Sequence, residues 1–345
     1  MTLHSEILEQ PDRLSAMLKD QRRAVEFAAN EILKRNVEFV FLAARGTSDN
    51  AGRYANYLLG GVNGLPLALA TPSLFTFYHT PPRLHNALVI GISQSGQSPD
   101  IVSVLTEGQK QGCLTLALTN IPGSPLANAA DLVLDLQAAP EKAVAATKTY
   151  TAELMTIAML STALKGDSSA WDQLAKVAGW VEEVLKLDGA IAAAAQRYRY
   201  MQQCVVLGRG YNYATAFEWA IKLKELTYIG AEPYSSADFA HGPIAIVDQG
   251  FPVMAVAPKG MVFDSMLEMM LKLKNELKAE MVIISNDQRA LNLAEVALPL
   301  PADLPEWLSP IPAIVAGQLF AYHLTVVKGY NPEQPRIIHK VTETE

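Results

Sequence analysis

The sequence is poor in most features that announce a functional class. Of 345 residues only two are cysteine, Cys113 and Cys204. That is too few for a disulfide framework or a multi-cysteine zinc site, and leaves a reducing cytoplasm as the expected compartment. Positive charge is in deficit: 28 Lys and Arg stand against 35 Asp and Glu, a formal charge of −7. Nucleic acid is therefore excluded as a main partner, because neutralising phosphates needs a basic face. No uncharged apolar run reaches the ~18 residues of a membrane span; the 313–327 stretch comes nearest and is interrupted by Gln318 and His323. A cationic, then apolar, leader is lacking too, since Glu6, Glu9 and Asp12 stand where it would be. Gly208-Arg209-Gly210 is followed by Tyr213 where a dinucleotide fingerprint needs glycine, and a Walker lysine motif is missing. None of the six histidines pairs at i, i+4 around a glutamate, so no metal site of the zincin kind and no cofactor is expected.

What the chain does have is core material. Half its residues are apolar and 18% are charged, too few charges for a disordered chain. At ~100–200 residues per domain, the length argues for two domains.

The sequence also repeats itself. The buried-strand pattern Phe39–Gly46 returns as Cys204–Gly210, with the Arg-Gly pair moving from 45–46 to 209–210, an offset of 164. The run Ala87–Ile92 ending at Gly96 returns as Phe251–Ala257 ending at Gly260, and 131–136 returns as 295–300, both at the same offset of 164. Three features at one offset point to an internal duplication.

Each copy alternates short β-rich runs with helical stretches. Strands are predicted near 38–44, 87–92, 113–118 and 131–136, then near 203–207, 252–257, 280–285 and 295–300. Helices are predicted near 49–60, 99–111 and 148–164, then near 212–227, 263–278 and 310–328. Near-continuous apolar strands between helices imply a parallel sheet covered on both faces. The expected class is α/β, two doubly wound domains that bind ligands at the carboxyl ends of their strands. The expected division is a helical segment over 1–29 (its amphipathic pattern running 13–34), domains over 30–170 and 201–330, a helical linker over 171–200 and a tail over 331–345.

Function is expected where the copies differ. Copy one carries Thr47 and Ser48 after its first strand, and Ser93, Ser95 and Ser98 after the next. These hydroxyls are expected on two loops, each just before a helix, where free N–H groups and the dipole suit a phosphate. Serine and threonine are also ordinary helix caps, and the pattern leaves both readings open. Copy two carries Glu218, Lys222 and Glu225 on one helix face, either a solvated ion-pair ladder or part of an acid–base site. His241 falls in what reads as an irregular loop with Ser235, Ser236 and Asp238, and is structural or catalytic on the same evidence.

At these residues the sequence resembles the tandem sugar-isomerase (SIS) domain family. Ser93-Gln94-Ser95-Gly96, Ala145-Ala146-Thr147-Lys148, Leu223-Lys224-Glu225, His241-Gly242-Pro243, Gln334-Pro335-Arg336 and Lys340 follow the order seen in the isomerase half of glucosamine-6-phosphate synthases. The resemblance implies two five-stranded SIS domains, with the sugar phosphate held by groups matching Gly46, Thr47, Ser48, Ser93, Gln94, Ser95 and Ser98, and with Val144 also at the substrate. It implies that Glu225 shuttles a proton between C1 and C2, that His241 assists ring opening from a neighbouring subunit, and that Lys340 lies on a tail covering the site. Lys222, one turn before Glu225, is placed beside the substrate or as a tuner of Glu225. Two features depart from the synthases. No cysteine precedes Cys113, so ammonia from glutamine is not expected, and the synthase Cys-Gly-Thr-Ser turn is replaced by Arg45-Gly46-Thr47-Ser48-Asp49. That turn, with Ser98-Pro99-Asp100 and the Lys340–Thr344 ending, is similar to the stand-alone type II glucosamine-6-phosphate deaminases. The implied reaction is conversion of glucosamine 6-phosphate to fructose 6-phosphate and ammonia by a cytoplasmic, metal-free homodimer with its site at the subunit interface. The alternatives are a galactosamine- or fructosamine-6-phosphate enzyme, a plain phosphosugar isomerase, and a non-catalytic phosphosugar sensor. The partner is a 6-phosphorylated amino sugar, with neither nucleic acid nor membrane involved.

Overall fold

The computed structural model describes residues 2–338 and Lys340. Its first sheet comprises β1 (Phe39–Ala43), β2 (Leu67–Leu69), β3 (Ala87–Ile92), β4 (Leu114–Thr119) and β5 (Leu132–Asp135). The order is β2-β1-β3-β4-β5 and every pairing is parallel. The second sheet comprises β6 (Gln203–Gly208), β7 (Gly230–Ser235), β8 (Pro252–Val256), β9 (Glu280–Ser285) and β10 (Val296–Pro299). Its order, β10-β9-β8-β6-β7, is the same topology read from the other edge, again all parallel. The α/β class, the five-stranded doubly wound sheets and the duplication are all present.

Burial explains the strands. Every residue of Ala87–Ile92 and Leu114–Thr119 is buried, so these runs need no polar alternation. In the first copy Phe41, Val89, Ile101, Val104, Leu105 and Leu126 share one cluster. In the second, Val253, Ala255, Met281 and Ile283 pack with Phe263, Met266, Met270 and Leu273 of the helix Phe263–Asn275. The strands without a sequence signal, β2 and β7, are edge strands. β2 is only three residues long and half exposed, and β7 contains Pro233, which an edge position tolerates.

The chain divides into two compact units that do not follow the linear order expected from sequence. Among the described residues, one comprises Asp12–Glu141, Lys148–Ala175 and Lys340; the other comprises 2–11, Lys142–Thr147 and Lys176–Ile338. The expected N-terminal helix is two helices, Leu3–Leu8 and Gln10–Leu33. The stretch read as a linker is three helices, Ser168–Leu174, Val177–Leu185 and Asp188–Ala195. Among the described residues one helix, Pro310–Val327, is long and apolar enough to cross a membrane, and it is mostly buried as a core helix of its unit.

Candidate active site

In an open sheet of this order the ligand crevice lies where the strand order reverses, between the ends of β1 and β3. In the first unit that point is occupied by the segments 44–48 and 93–98. After β1 the chain turns through Gly46, whose φ of +52° is in the left-handed region that glycine adopts without strain. Gly210 repeats this at φ +61° after β6. The helix Gly46–Asn63 starts earlier than its pattern suggests, so Thr47 and Ser48 lie in its first turn rather than on a loop before it. Its dipole is thereby aimed at the crevice. The Ser48 hydroxyl donates to Glu153 Oε1 at 2.7 Å, tying this helix to Lys148–Lys165.

The second segment is a tight backbone loop. Gly96 N–H donates to Ser93 Oγ (3.1 Å) and Gln97 N–H to Ser95 Oγ (3.3 Å). Gly96 has φ +61°, and a Cβ there would lie 2.0 Å from Ser124 Oγ, so only glycine fits. Ser98 is the N-cap of the helix Pro99–Lys110, yet its side chain makes no capping bond. That removes the capping explanation for Ser98, whereas Ser124 is a true cap that accepts from Ala127 N–H. Arg45 Nε donates to Asp100 Oδ2 at 2.7 Å, a bond that joins the two segments. Asp100 is fully buried there while Arg45 stays 47% exposed. Burial pushes the Asp49 carboxyl above its ordinary range, with Arg53 and Arg45 opposing. Gln97 and Pro99 also line a groove of about 720 Å³ with Phe75, Val102 and Thr106.

In the second unit the helix Tyr213–Thr227 is buried on nearly every face, Trp219, Leu223 and Leu226 included. The spacing of Glu218, Lys222 and Glu225 is therefore not a solvated ladder. Lys222 is 1% exposed, with Nζ 3.4 Å from Glu218 Oε1 and 2.7 Å from Glu225 Oε2. Glu218 is fully buried, whereas Glu225 keeps 25% exposure. A buried ammonium is tolerated only with such partners. The result is one carboxylate that is braced and still reachable. His241 is not in an irregular loop: it is the exposed C-cap of the helix Ser236–Ala240, followed by Gly242 at φ +143°. It lines a groove of about 730 Å³ with Arg209, Ser236 and Asp264, and Glu225 is not among the residues lining it.

Val144, half-buried, sits in a segment held by an acid that the sequence did not flag. Glu6, fully buried, accepts from the N–H groups of Lys142 (2.6 Å) and Ala143 (3.2 Å). In the first unit Lys340 Nζ lies 2.6 Å from Glu141 Oε2, whose other oxygen accepts from Thr149 N–H. Lys340 is 24% exposed and Glu141 is fully buried as a side chain. Of the rest of the tail end, His339 and residues 341–345 lie outside the described residues. Glu6, Glu141 and Glu153 have no distinctive spacing; the one signal is an acid set among apolar neighbours, as Glu6 is by Leu3 and Ile7.

Comparison with known proteins agrees with the duplicated fold. The SIS domain model matches twice, over residues 35–163 and 200–328. A glutamine–fructose-6-phosphate aminotransferase (isomerizing) of Thermococcus kodakarensis is 35% identical over 99% of this chain and 57% of its own length. The Thermotoga maritima enzyme of that name is 31% identical over 99% of the chain and 59% of its own. The chain thus spans a little over half the length of these relatives. Among solved structures, the C-terminal domain of glucosamine-fructose-6-phosphate aminotransferase from Francisella tularensis superposes with TM-score 0.85 at 26% identity, covering 96% of this chain and 98% of that one. Glucosamine-6-phosphate deaminase from Thermotoga maritima shares the fold over 100% of both chains, with TM-score 0.81 at 20% identity.

Proposed function

The chain belongs to the SIS-domain family, and on that premise we propose that it deaminates an amino-sugar 6-phosphate by aldose–ketose isomerisation. The substrate that fits this reading best is glucosamine 6-phosphate, which with water gives fructose 6-phosphate and ammonia. The observation that carries it is Glu225, 25% exposed and braced at 2.7 Å by the buried Lys222. Such a carboxylate can accept a carbon-bound proton and return it one atom away.

The mechanism assigns phosphate to the first SIS half. Gly46, Thr47, Ser93, Gln94, Ser95 and Ser98 offer N–H and O–H donors at the start of two helices, with Ser48 steadying one of them through Glu153. Donors fixed in advance hold a dianion without a lysine cluster. His241 moves a proton between O5 and O1 to open the ring, and its exposure supports service from a second copy in a homodimer. Glu225 then takes the C2 proton, the C1=O double bond becomes C1–C2 and O1 is protonated, giving an enolamine. Return of the proton to C1 leaves a C2=N imine, and water adds to C2 and expels ammonia, leaving the ketone. Val144 and Lys340 complete the substrate contacts, Lys340 as a cation partnered by Glu141.

Ammonia release over a panel of 6-phosphorylated amino sugars tests this, with glucosamine and galactosamine 6-phosphates and a fructosamine 6-phosphate included. Glucosamine 6-phosphate is expected to turn over, with at least a ~100-fold loss in Glu225→Gln. Undiminished release in that variant removes Glu225 from the chemistry, and no turnover of any member favours a phosphosugar sensor.

A further inference from the structure

Outside the phosphosugar site, the second unit gathers three potential metal ligands from distant parts of the chain. His4 lies in the helix Leu3–Leu8, Asp188 begins the helix Asp188–Ala195, and His323 lies in Pro310–Val327. His4 Nε2 is 3.0 Å from Asp188 Oδ2, and His323 Nε2 is 2.6 Å from Asp188 Oδ1. One ligand atom from each of the three can be chosen so that all lie within 4.8 Å of one another, and no other such group occurs among the described residues. We propose that His4, Asp188 and His323 form a binding site for a divalent transition-metal ion of the zinc class.

Four features support a metal over a simple hydrogen-bonded clasp. Both rings turn the same atom, Nε2, toward one carboxylate, so both can coordinate a single ion as the Nδ1–H tautomer. Zinc bonds of about 2.0–2.2 Å put neighbouring tetrahedral ligand atoms roughly 3.3 Å apart. The two nitrogen–oxygen distances, 3.0 and 2.6 Å, reach that value by shifts of under about 1 Å. The ring of His4 is also fixed in place, stacked on Tyr322 at 4.7 Å and 7° and set edge-on to His323 at 5.7 Å. Side-chain exposures of 27% for His4, 28% for Asp188 and 15% for His323 leave an entry path and room for water to complete the coordination. Two imidazoles among three donors select zinc, cobalt or nickel over magnesium or calcium. A bound ion would join three helices of the unit and anchor Leu3–Leu8, whose Glu6 holds the segment that bears Val144.

Zinc titration of the metal-free, full-length protein tests the site. Wild type is expected to bind one Zn²⁺ per chain at micromolar concentration. Its Tm is expected to rise by about 4 °C at a hundredfold excess over the dissociation constant. His4→Gln and His323→Gln keep an N–H donor for Asp188, so they are expected to fold with unchanged metal-free Tm and to lose the zinc-dependent rise. X-ray absorption at the zinc edge of the wild-type complex is expected to show two imidazole ligands, a readout independent of either variant. Absence of saturable binding below about 1 mM, binding retained in both variants, or fewer than two imidazoles on the ion would each overturn the proposal. None of these readouts depends on amino-sugar turnover.

Discussion

Replacing Lys222 by Met decides whether the Glu218–Lys222–Glu225 cluster is a buried network or a surface ladder. At an effective dielectric of ~20, unit charges 2.7 and 3.4 Å apart attract by roughly 6 and 5 kcal/mol, the separations of Lys222 Nζ from Glu225 and Glu218. Desolvation of Lys222 and Glu218, which are 1% and 0% exposed, cancels much of this. Screening at the 25%-exposed Glu225 weakens its share further. What remains is the cost of stranding the Glu218 carboxylate without its ammonium, about 3–5 kcal/mol for a buried pair broken on one side. An exposed i, i+4 ladder would lose only ~0.2–0.5 kcal/mol per pair. Urea unfolding followed by tryptophan fluorescence is the assay, since Trp219 is fully buried one residue from Glu218. The expected result is a loss of about 3–5 kcal/mol in Lys222→Met, with Glu218→Gln/Lys222→Met costing less than the two single changes together by ~1–3 kcal/mol. Turnover is expected to fall at least ~100-fold in Lys222→Met, because Glu225 loses the group that orients it. A loss under ~1 kcal/mol, with additive singles, would refute the buried-network reasoning.

Two serines at helix starts separate capping from ligand binding. Ser124→Ala removes a true cap and is expected to cost about 1 kcal/mol, whereas Ser98→Ala, whose hydroxyl makes no capping bond, is expected to stay within ~0.5 kcal/mol in thermal unfolding while raising KM for the phosphosugar. Both thiols are expected to be inert to a disulfide reagent at pH 8 in the native protein and to react once unfolded. Burial pushes the Cys113 thiol up from its ordinary range, and the Cys204 thiol up to about 12. The sign follows: the unfolded thiols ionise first, so their contribution to stability is intact below pH 9 and declines as pH rises from there toward 12, which alkaline unfolding midpoints will show.

The strands clearest in the sequence were those buried on both sides, while the edge strands Leu132–Asp135 and Val296–Pro299 were legible through their shared offset of 164. Ala87–Ile92 and Leu114–Thr119 are apolar because nothing in them meets water, and the duplicate of Ala87–Ile92 stands out at the offset of 164. The other two edge strands lack any such signal. Leu67–Leu69 and Gly230–Ser235 are held by one neighbour each and carry no sustained pattern. The candidate site was legible in its residue types but not in its environments. Spacing places Glu218, Lys222 and Glu225 on one face whether that face meets water or core, and only the packing of Trp219, Leu223 and Leu226 around the same helix settles it. Glu6, Glu141 and Glu153 became visible only through the N–H, O–H and ammonium groups the fold brings to them.

The divergence of the two copies lies less in which residues were kept than in how they are coupled. Arg45 and Asp100 of the first copy recur as Arg209 and Asp264 of the second, at the same offset. In the first copy they form a 2.7 Å ion pair with a fully buried carboxylate, clasping the two segments at the end of the sheet. In the second, Arg209 donates instead to Ser265 Oγ at 2.6 Å, while Asp264 is 88% exposed and 3.5 Å from Arg289. An ion pair whose carboxylate is buried fixes relative position at little net gain in stability, which is what a ligand cradle needs and a plain sheet end does not. It also sets a guanidinium, still 47% exposed, beside two helix starts in a chain whose overall charge is −7. A dianionic sugar approaching against that field meets a local positive centre at the first copy's sheet end. Arg45, the residue at which this turn departs from the synthase pattern, is thereby also the residue that closes the clasp beside the proposed phosphate site.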